Sequence, residues 1–257
     1  MTTELLTHTL GQTLVMTLSG PATRNALSAQ VYAAGVESLN MAESNPDVRA
    51  VVVTGSGGHF CSGGDIQRLR HNRQHDLVGQ SDAVQAFHEW ILALRAFPKP
   101  VVAAVEGHAA GGGVSLALAC DLIVAARDAQ FSLSHLHVGL SPDGGVSLAL
   151  ARSLGRRQAF SALALAERHD APQWAQWGLV HKLSEPGQAL DDAVAVCEAL
   201  ATHPAGALAS IKDLLNEAEG ALPDQLSAER NHLMHNLASS DAGHALEAFM
   251  SRRAPVA

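Results

Sequence analysis

The chain has 257 residues, of which 47% are hydrophobic and 16% charged, and its formal net charge is −8. This composition describes a globular protein able to bury roughly three quarters of its unfolded surface, and it excludes a disordered or fibrous chain. Three widely spaced cysteines and an opening segment unlike a secretory signal predict a reducing, cytoplasmic location. The acidic balance predicts no nucleic-acid partner, and no apolar run reaches the roughly 18 to 20 residues that cross a membrane.

The first half of the chain alternates strand and helix patterns. An apolar, β-branched strand over residues 13–19 ends in a turn, and helical periodicity over 28–42 leads to a fully apolar strand that starts near residue 49. The same alternation then predicts a helix over residues 84–94, a strand over 100–107, a helix from 112 and a strand over 120–126. Such an order is typical of a parallel sheet covered by helices.

Alanine- and leucine-rich segments dominate the chain after about Ser153. Their helical periodicity over residues 156–166, 190–203 and 208–222 predicts that the C-terminal third is all helix. One octapeptide, GGVSLALA, occurs at residues 112–119 and again at 144–151. We expect both copies to be glycine turns that lead into helix N-termini.

Two glycine-rich segments follow apolar strands, HFCSGGD at residues 59–65 and GHAAGGG at 107–113. Neither has the ending of a phosphate-binding P-loop or the spacing of a dinucleotide fold. Both offer backbone N–H groups that no side chain covers. Two such donors aimed at one point would form an oxyanion hole, and a helix that begins near Gly112 would add the positive end of its dipole.

Several ordered motifs are similar to those of the enoyl-CoA hydratase/isomerase (crotonase) family. They are RNAL from Arg24, FCSGGDI from Phe60, PKPVVAAVEGHAAGGGVSLALACDLIVA from Pro98, FSLSHLHVGLSPDGG from Phe131, AQWGLVHKL from Ala175 and EAFMSRRAP from Glu247. The resemblance implies an α/β fold of the crotonase (ClpP-like) type, a spiral of β-β-α turns with an all-helical C-terminal trimerisation region. It divides the chain into a core over 1–195 and a helical region over 196–257, assembled as a homotrimer or a hexamer.

The resemblance also implies an acyl-CoA substrate, with coenzyme A as part of that substrate and no further cofactor. The family's two oxyanion N–H groups fall on Gly64 and Gly112, where they would bind the thioester carbonyl as it becomes an enolate. Across a subunit boundary, Arg252 or Arg253 would meet phosphates of coenzyme A. The remaining substrate-binding positions that the resemblance implies are Arg24, Asn25, Ala26, Leu27, Ser62, Gly63, Asp65 and Ile66.

The chain departs from the family's hydratases at two catalytic positions. Where those enzymes carry paired glutamates, this chain has Ser115 and His135. Asp143, in SPDGG, coincides with an aspartate that some relatives use as the proton-shuttling base of an isomerase or as the nucleophile of an aryl-CoA dehalogenase. We therefore predict that Asp143 is the catalytic acid and base, because burial in an acyl pocket would raise the pKa of its carboxyl group.

Two histidines are further catalytic candidates. His88 lies twelve residues before Pro100, a spacing that resembles the dehalogenase-type members, and we expect it to pair with Asp143. His135 stands where those dehalogenases keep a tryptophan, so halide displacement is less well supported, and we expect His135 to touch substrate. His135 and His137 form an H-x-H pair without an evident third ligand, so we predict no metal site.

The reaction itself stays open among several alternatives. Double-bond isomerisation and water addition through Asp143 are the first two. Hydrolysis or hydration of a cyclic, aromatic-derived enoyl-CoA and dehalogenase-like chemistry with Asp143 and His88 are the others. A non-catalytic CoA-binding or RNA-associated homologue is the alternative from another class of protein, and the retained oxyanion glycines and Asp143 argue against it.

Overall fold

In the computed structural model, which describes residues 2–218, 222–242 and 244, the strands form two sheets. The large sheet has six strands side by side, and its first pair is antiparallel while the rest are parallel. Its strands, in spatial order, are β1 (Glu4–Leu10), β2 (Thr13–Ser19), β3 (Ala50–Gly55), β4 (Val101–Val105), β6 (Leu122–Ala126) and β9 (Lys182–Ser184). The small sheet contains β5 (His108–Ala110), β7 (Gln130–Ser132) and β8 (Arg168–Asp170).

Helices connect and cover these strands. Ser28 and Asp65 cap the first two helices, because their side-chain oxygens accept hydrogen bonds from first-turn N–H groups. Short 3₁₀ helices span Pro21–Thr23 and Ser134–Val138. The α-helices are α1 (Ala29–Ser44), α2 (Ile66–His75), α3 (Leu77–Ala96), α4 (Gly112–Ala119), α5 (Val146–Leu165), α6 (Ala171–Gln176), α7 (Ala189–Ala201), α8 (Ala205–Glu217) and α9 (Leu222–Leu237).

The large sheet buries both faces. On one face, α7 places Ala189, Ala193 and Cys197, spaced four residues apart, against a cluster that includes Val52 and Val102. On the other face, alternate residues of the same strands pack against α1, α3 and α4 in the main core. The carboxyl ends of β3 and β4 therefore lie within a rigid layer, and the loops that follow them carry the two glycine-rich segments.

The structure confirms the predicted alternation over β2 to β6 and the helix N-terminus at each copy of the octapeptide. The prediction of an all-helical C-terminal third is wrong, because β9 completes the large sheet beside β6. This strand has three residues, too few to show a periodicity. The predicted boundary at residue 195 falls inside α7, and the division into two regions stays a prediction.

Among the described residues, no single helix is long and apolar enough to cross a membrane. The pair α7 and α8 meets that criterion by length and composition only, and it is bent by 108°.

A buried lysine attaches α8 to the core. Lys212 Nζ donates to Asp121 Oδ2 at 2.8 Å and to the carbonyl of Leu94 at 2.9 Å. The same carboxylate oxygen accepts the backbone N–H of Val101 at 2.8 Å, at the start of β4. Only about a tenth of the Lys212 side chain is exposed. The C-terminal helices are thus linked by charge to the central strand of the sheet.

We expect Lys212→Met to lower the free energy of unfolding by about 3 kcal/mol, because it leaves the Asp121 carboxylate without its charged partner. Urea-induced unfolding monitored by circular dichroism measures this change. The matched control is Lys182→Met, whose pair with Asp192 is more exposed and should contribute less than about 1 kcal/mol. Equal losses in the two variants would contradict this assignment.

Candidate active site

The two glycine-rich segments are packed backbone to backbone. Cys61 N–H donates to the His108 carbonyl at 3.0 Å, and Ala110 N–H donates to the Cys61 carbonyl at 2.9 Å. A Cβ on Gly113 would lie 2.5 Å from the Cys61 carbonyl oxygen. Gly63, at φ +82°, leaves equally little room, since its Cβ would lie 2.6 Å from the Ala110 carbonyl oxygen. Glycine is therefore required at both positions by close approach of the two backbones.

Gly64 and Gly112 border the same cavity. Gly112 is the first residue of α4, so its N–H has no partner inside the helix. No hydrogen bond found between described residues uses the N–H of Gly64 or of Gly112. The Gly112 nitrogen lies 3.1 Å from where a Cβ of Gly63 would stand. The cavity wall thus contains two backbone N–H groups that no described residue accepts, which are the kind of donors that an oxyanion hole uses.

The cavity has a volume of about 550 Å³ and is mostly apolar. Its polar part contains Tyr32, Arg68, His135 and Asp143. Its apolar side chains come from the end of the RNAL segment, from α2, from α3 and from the loop after the second 3₁₀ helix; they include Leu27, Ile66, Leu69, Val84, Phe87 and Leu140. A mostly apolar pocket with a few convergent polar groups is the usual form of a small-molecule site.

Asp143 and His135 form a pair inside this cavity. His135 Nε2 lies 3.3 Å from Asp143 Oδ1, and the two side chains are 11% and 36% exposed. His135 Nδ1 is buried without a hydrogen-bond partner among the described residues. Ser115, on α4, donates its hydroxyl to the Asp143 backbone carbonyl at 2.8 Å. The aspartate is therefore positioned through its backbone by Ser115, and its carboxylate is positioned by His135.

The expected pairing of His88 with Asp143 is not what the structure shows. His88 Nε2 accepts the backbone N–H of Gly144 at 3.4 Å, so it contacts the turn after Asp143 and not its carboxylate. The chain turns at Gly144 with φ +61°, and the aspartate side chain meets the 3₁₀ helix that carries His135. His88 therefore acts on the loop that positions Asp143.

The RNAL segment contributes to the site mainly by hydrogen bonds that hold the backbone of neighbouring loops. Asn25 is fully buried: its amide donates to the carbonyls of Ser56 and His59, and its Oδ1 accepts Gly20 N–H. Leu27 reaches the cavity, where its side chain lies 3.3 Å from the position that a Cβ of Gly112 would occupy, whereas buried Ala26 does not line it. Arg24 precedes Asn25 in a left-handed conformation, with φ +52°.

The other predicted substrate-binding residues lie at the first glycine-rich segment. Ser62 lines the cavity and donates its hydroxyl to the Thr23 carbonyl at 2.8 Å. Asp65 caps α2 and lines the cavity together with Ile66, whose side chain is exposed at the rim. Arg252 and Arg253 lie outside the described residues, and their predicted contact with coenzyme A stays a prediction.

Tyr32 and Arg68 are cavity residues that the sequence reasoning missed. Tyr32 is the only tyrosine of the chain and lies on α1, among core positions at helical spacing. Arg68 follows the FCSGGDI motif by two residues, in the first turn of α2. Burial raises the pKa of Tyr32 to about 12, and the neighbouring Arg68 opposes that rise in pKa. A polar residue at a core position of α1 was the signal that could have found Tyr32.

No group of three or more His, Cys, Asp or Glu side chains that could hold a metal ion occurs within the part of the chain that the structure describes. His137 lines the cavity but is exposed.

All three cysteines are buried as free thiols. Burial raises the pKa of Cys61 and of Cys197 to about 12, and it raises the pKa of Cys120 as well. Because the thiolate is the reactive form, we expect no reaction of the native protein with a disulfide reagent at about pH 8. Spectrophotometric thiol titration should detect all three only after unfolding in guanidinium. A thiol that reacts at once in the native protein would contradict this.

Comparison with known proteins agrees with this geometry. The family model described as enoyl-CoA hydratase/isomerase matches residues 10–256. The crystal structure of an enoyl-CoA hydratase from Polaromonas sp. JS666 superimposes with a TM-score of 0.95 at 48% identity, over 98% of each chain. A 1,2-epoxyphenylacetyl-CoA isomerase and a 2,3-dehydroadipyl-CoA hydratase, both of Escherichia coli (strain K12), are each 32% identical over 98% of this chain and 97% of their own length.

The fold and the cavity define a protein of the crotonase fold, as the resemblance implied. The chain belongs to the enoyl-CoA hydratase/isomerase family, and it is an enzyme of the hydratase/isomerase type.

Proposed function

We propose that this enzyme shifts the carbon–carbon double bond of an enoyl-CoA thioester, with Gly64 and Gly112 as oxyanion donors and Asp143 as the acid and base. The observation that carries the proposal is the Asp143–His135 pair, with 3.3 Å between Oδ1 and Nε2, in the cavity that both glycines border. The names of the two Escherichia coli relatives, which specify an isomerase and a hydratase of CoA thioesters, support the substrate class.

The proposed reaction needs one proton acceptor. With the thioester carbonyl at the two backbone N–H groups, the Asp143 carboxylate removes a proton from C2 of a 3-enoyl-CoA. The electron pair moves into a dienolate whose oxygen the N–H groups stabilise, and each such donor is worth about 3 to 4 kcal/mol in the transition state. Asp143 then returns the proton to C4, which gives the conjugated 2-enoyl-CoA. His135 holds the carboxylate in place throughout.

Water addition is the second candidate, and a specific observation favours it. Asp143 lines the cavity and its side chain is 36% exposed, so its carboxylate can take a proton from a water molecule that adds to C3, and it can return a proton to C2. The paired glutamates of the family's hydratases are replaced here by Ser115 and His135. Ser115 is already engaged with the Asp143 carbonyl, so in this proposal Asp143 activates the water while His135 positions its carboxylate.

The ultraviolet absorbance of the conjugated enoyl thioester separates these reactions. The protein is mixed with 2-enoyl-CoA and 3-enoyl-CoA of the same chain length, and the saturated acyl-CoA is the control. A gain of absorbance from 3-enoyl-CoA supports isomerisation, and a loss from 2-enoyl-CoA supports water addition. No change with either substrate contradicts both proposals and favours cyclic, aromatic-derived enoyl-CoA substrates or a non-catalytic CoA-binding role.

We also propose that the protein works as a homotrimer or a hexamer in the cytoplasm. Three large apolar side chains on α5, those of Leu148, Phe160 and Leu165, are more than half exposed, which favours burial against another copy. Free thiols at all three cysteines fit a reducing compartment. Sedimentation equilibrium tests the assembly, and a monomeric mass would contradict it.

A further inference from the structure

Arg68 is a charged side chain that the proposed chemistry does not use. It lines the cavity from the first turn of α2, four residues after Gly64. A guanidinium group keeps its charge at any pH at which the protein is folded. Arg68 is partly buried in this mostly apolar cavity, and removing a cation from water costs free energy unless another group pairs with it.

The described part of the protein does not supply an anionic partner for Arg68. None of the ion pairs found there includes it. Of the two carboxylates that line the cavity, Asp65 is engaged in capping α2 and Asp143 is paired with His135. Arg68 Nε is buried, and no described residue is its hydrogen-bond partner. A donor of this kind, left open in a ligand cavity, is suited to donate to an oxygen of the ligand.

Tyr32 lines the same cavity and lies beside Arg68. The positive charge of Arg68 and a hydrogen bond from it both act on the Tyr32 hydroxyl, so the guanidinium of α2 reaches the phenol of α1. Tyr32 itself packs against Phe87, with ring centroids 5.2 Å apart. Its phenol is kept protonated by burial, so the hydroxyl is available as a second donor beside the guanidinium.

We propose that Arg68 and Tyr32 bind a carboxylate at the far end of the acyl group, so that the enzyme selects ω-carboxyacyl-CoA substrates. A carboxylate fits the two-pronged donor geometry of a guanidinium better than a neutral chain end does. The surrounding Leu69, Val84 and Phe87 hold the methylene chain. This inference rests on the proposed binding of acyl-CoA in the cavity, and it adds the class of acyl group.

Binding of unreactive saturated thioesters tests the inference without catalysis. Isothermal titration compares adipyl-CoA and glutaryl-CoA with hexanoyl-CoA and valeryl-CoA of matching chain length. We expect the wild-type protein to bind the carboxylated member of each pair about tenfold more tightly or better. In Arg68→Met, which keeps the length of the side chain, this preference should vanish while hexanoyl-CoA binds within about threefold of wild type.

Arg157→Met is the matched control, because it makes the same change of charge on an exposed residue of α5 outside the cavity lining. It should keep the full preference, and Tyr32→Phe should lose part of it. Equal binding of both members of a pair by the wild type, or an undiminished preference in Arg68→Met, overturns the inference while acyl-CoA binding stands. If no acyl-CoA binds at all, the proposed function itself fails.

Discussion

Replacing Asp143 with asparagine is expected to reduce the rate of double-bond isomerisation by about 10²- to 10⁴-fold, the usual contribution of a positioned acid and base. Asparagine has the same shape and leaves the Ser115 bond to the backbone carbonyl intact. It cannot accept a proton at this position, so the dienolate would not form. The measurement is the gain of conjugated-thioester absorbance from 3-enoyl-CoA.

His88→Asn is the informative companion to that variant. His88 contacts the Gly144 N–H and not the Asp143 carboxylate, so we expect a smaller loss, of about tenfold, that arises from the position of the loop. Thermal unfolding of both variants and their affinity for a saturated acyl-CoA show whether the fold and binding are retained. An Asp143→Asn enzyme within about tenfold of wild type would exclude this aspartate as the catalytic base.

The second large effect is expected for Gly113→Ala, which should lower kcat by about 10²-fold or more. The new Cβ would lie 2.5 Å from the Cys61 carbonyl oxygen, a backbone atom that cannot move alone. The start of α4 must then separate from the first glycine-rich segment, which misaligns the Gly112 donor, and loss of one oxyanion donor costs about 10²- to 10³-fold. Steady-state kinetics with 3-enoyl-CoA measures the loss.

Gly64→Ala is the matched control, since it adds the same methyl group at the partner position. The nearest atom to its Cβ is Leu69 Cδ1 at 3.6 Å, an ordinary contact with a side chain. The backbone N–H is kept, so kcat should fall by less than about tenfold. If both alanine variants lost activity equally, the close approach of the two backbones would not be the reason for glycine at 113.

The sequence predicted the elements that have a strong local pattern. The strands β2, β3, β4 and β6 are nearly continuous apolar runs, and α4 and α5 follow a glycine turn that breaks the preceding pattern. The hairpin strand β1 was missed, because its residues are mostly exposed and do not alternate clearly. The strands of the small sheet have three residues each, so they are defined by their partners in space.

The positions of the backbone groups in the site could be predicted from the sequence. The contacts between side chains of different helices and loops were harder to predict. The two glycine-rich segments that follow strands indicated backbone donors, and the family resemblance placed these donors on Gly64 and Gly112. At 63 and 113 only glycine tolerates the close approach found in the structure. The pairing of Asp143 with His135 instead of His88 depends on the turn at Gly144, whose direction no local pattern encodes. Arg68 escaped attention for a similar reason, since an arginine in the first turn of a helix is usually solvated.

The contact between the two copies of the octapeptide has an evolutionary consequence. A Cβ on Gly144, in the second copy, would lie 2.8 Å from Ser115 Cβ in the first, so there is no room between Ser115 and this turn. A glutamate introduced at 115 would press on the turn that carries Asp143 and would also break the Ser115 bond to it. With Asp143 in its proposed role, we therefore expect a glutamate at 115 and a working aspartate at 143 to be epistatic, so that a change at one position requires a change in the other copy.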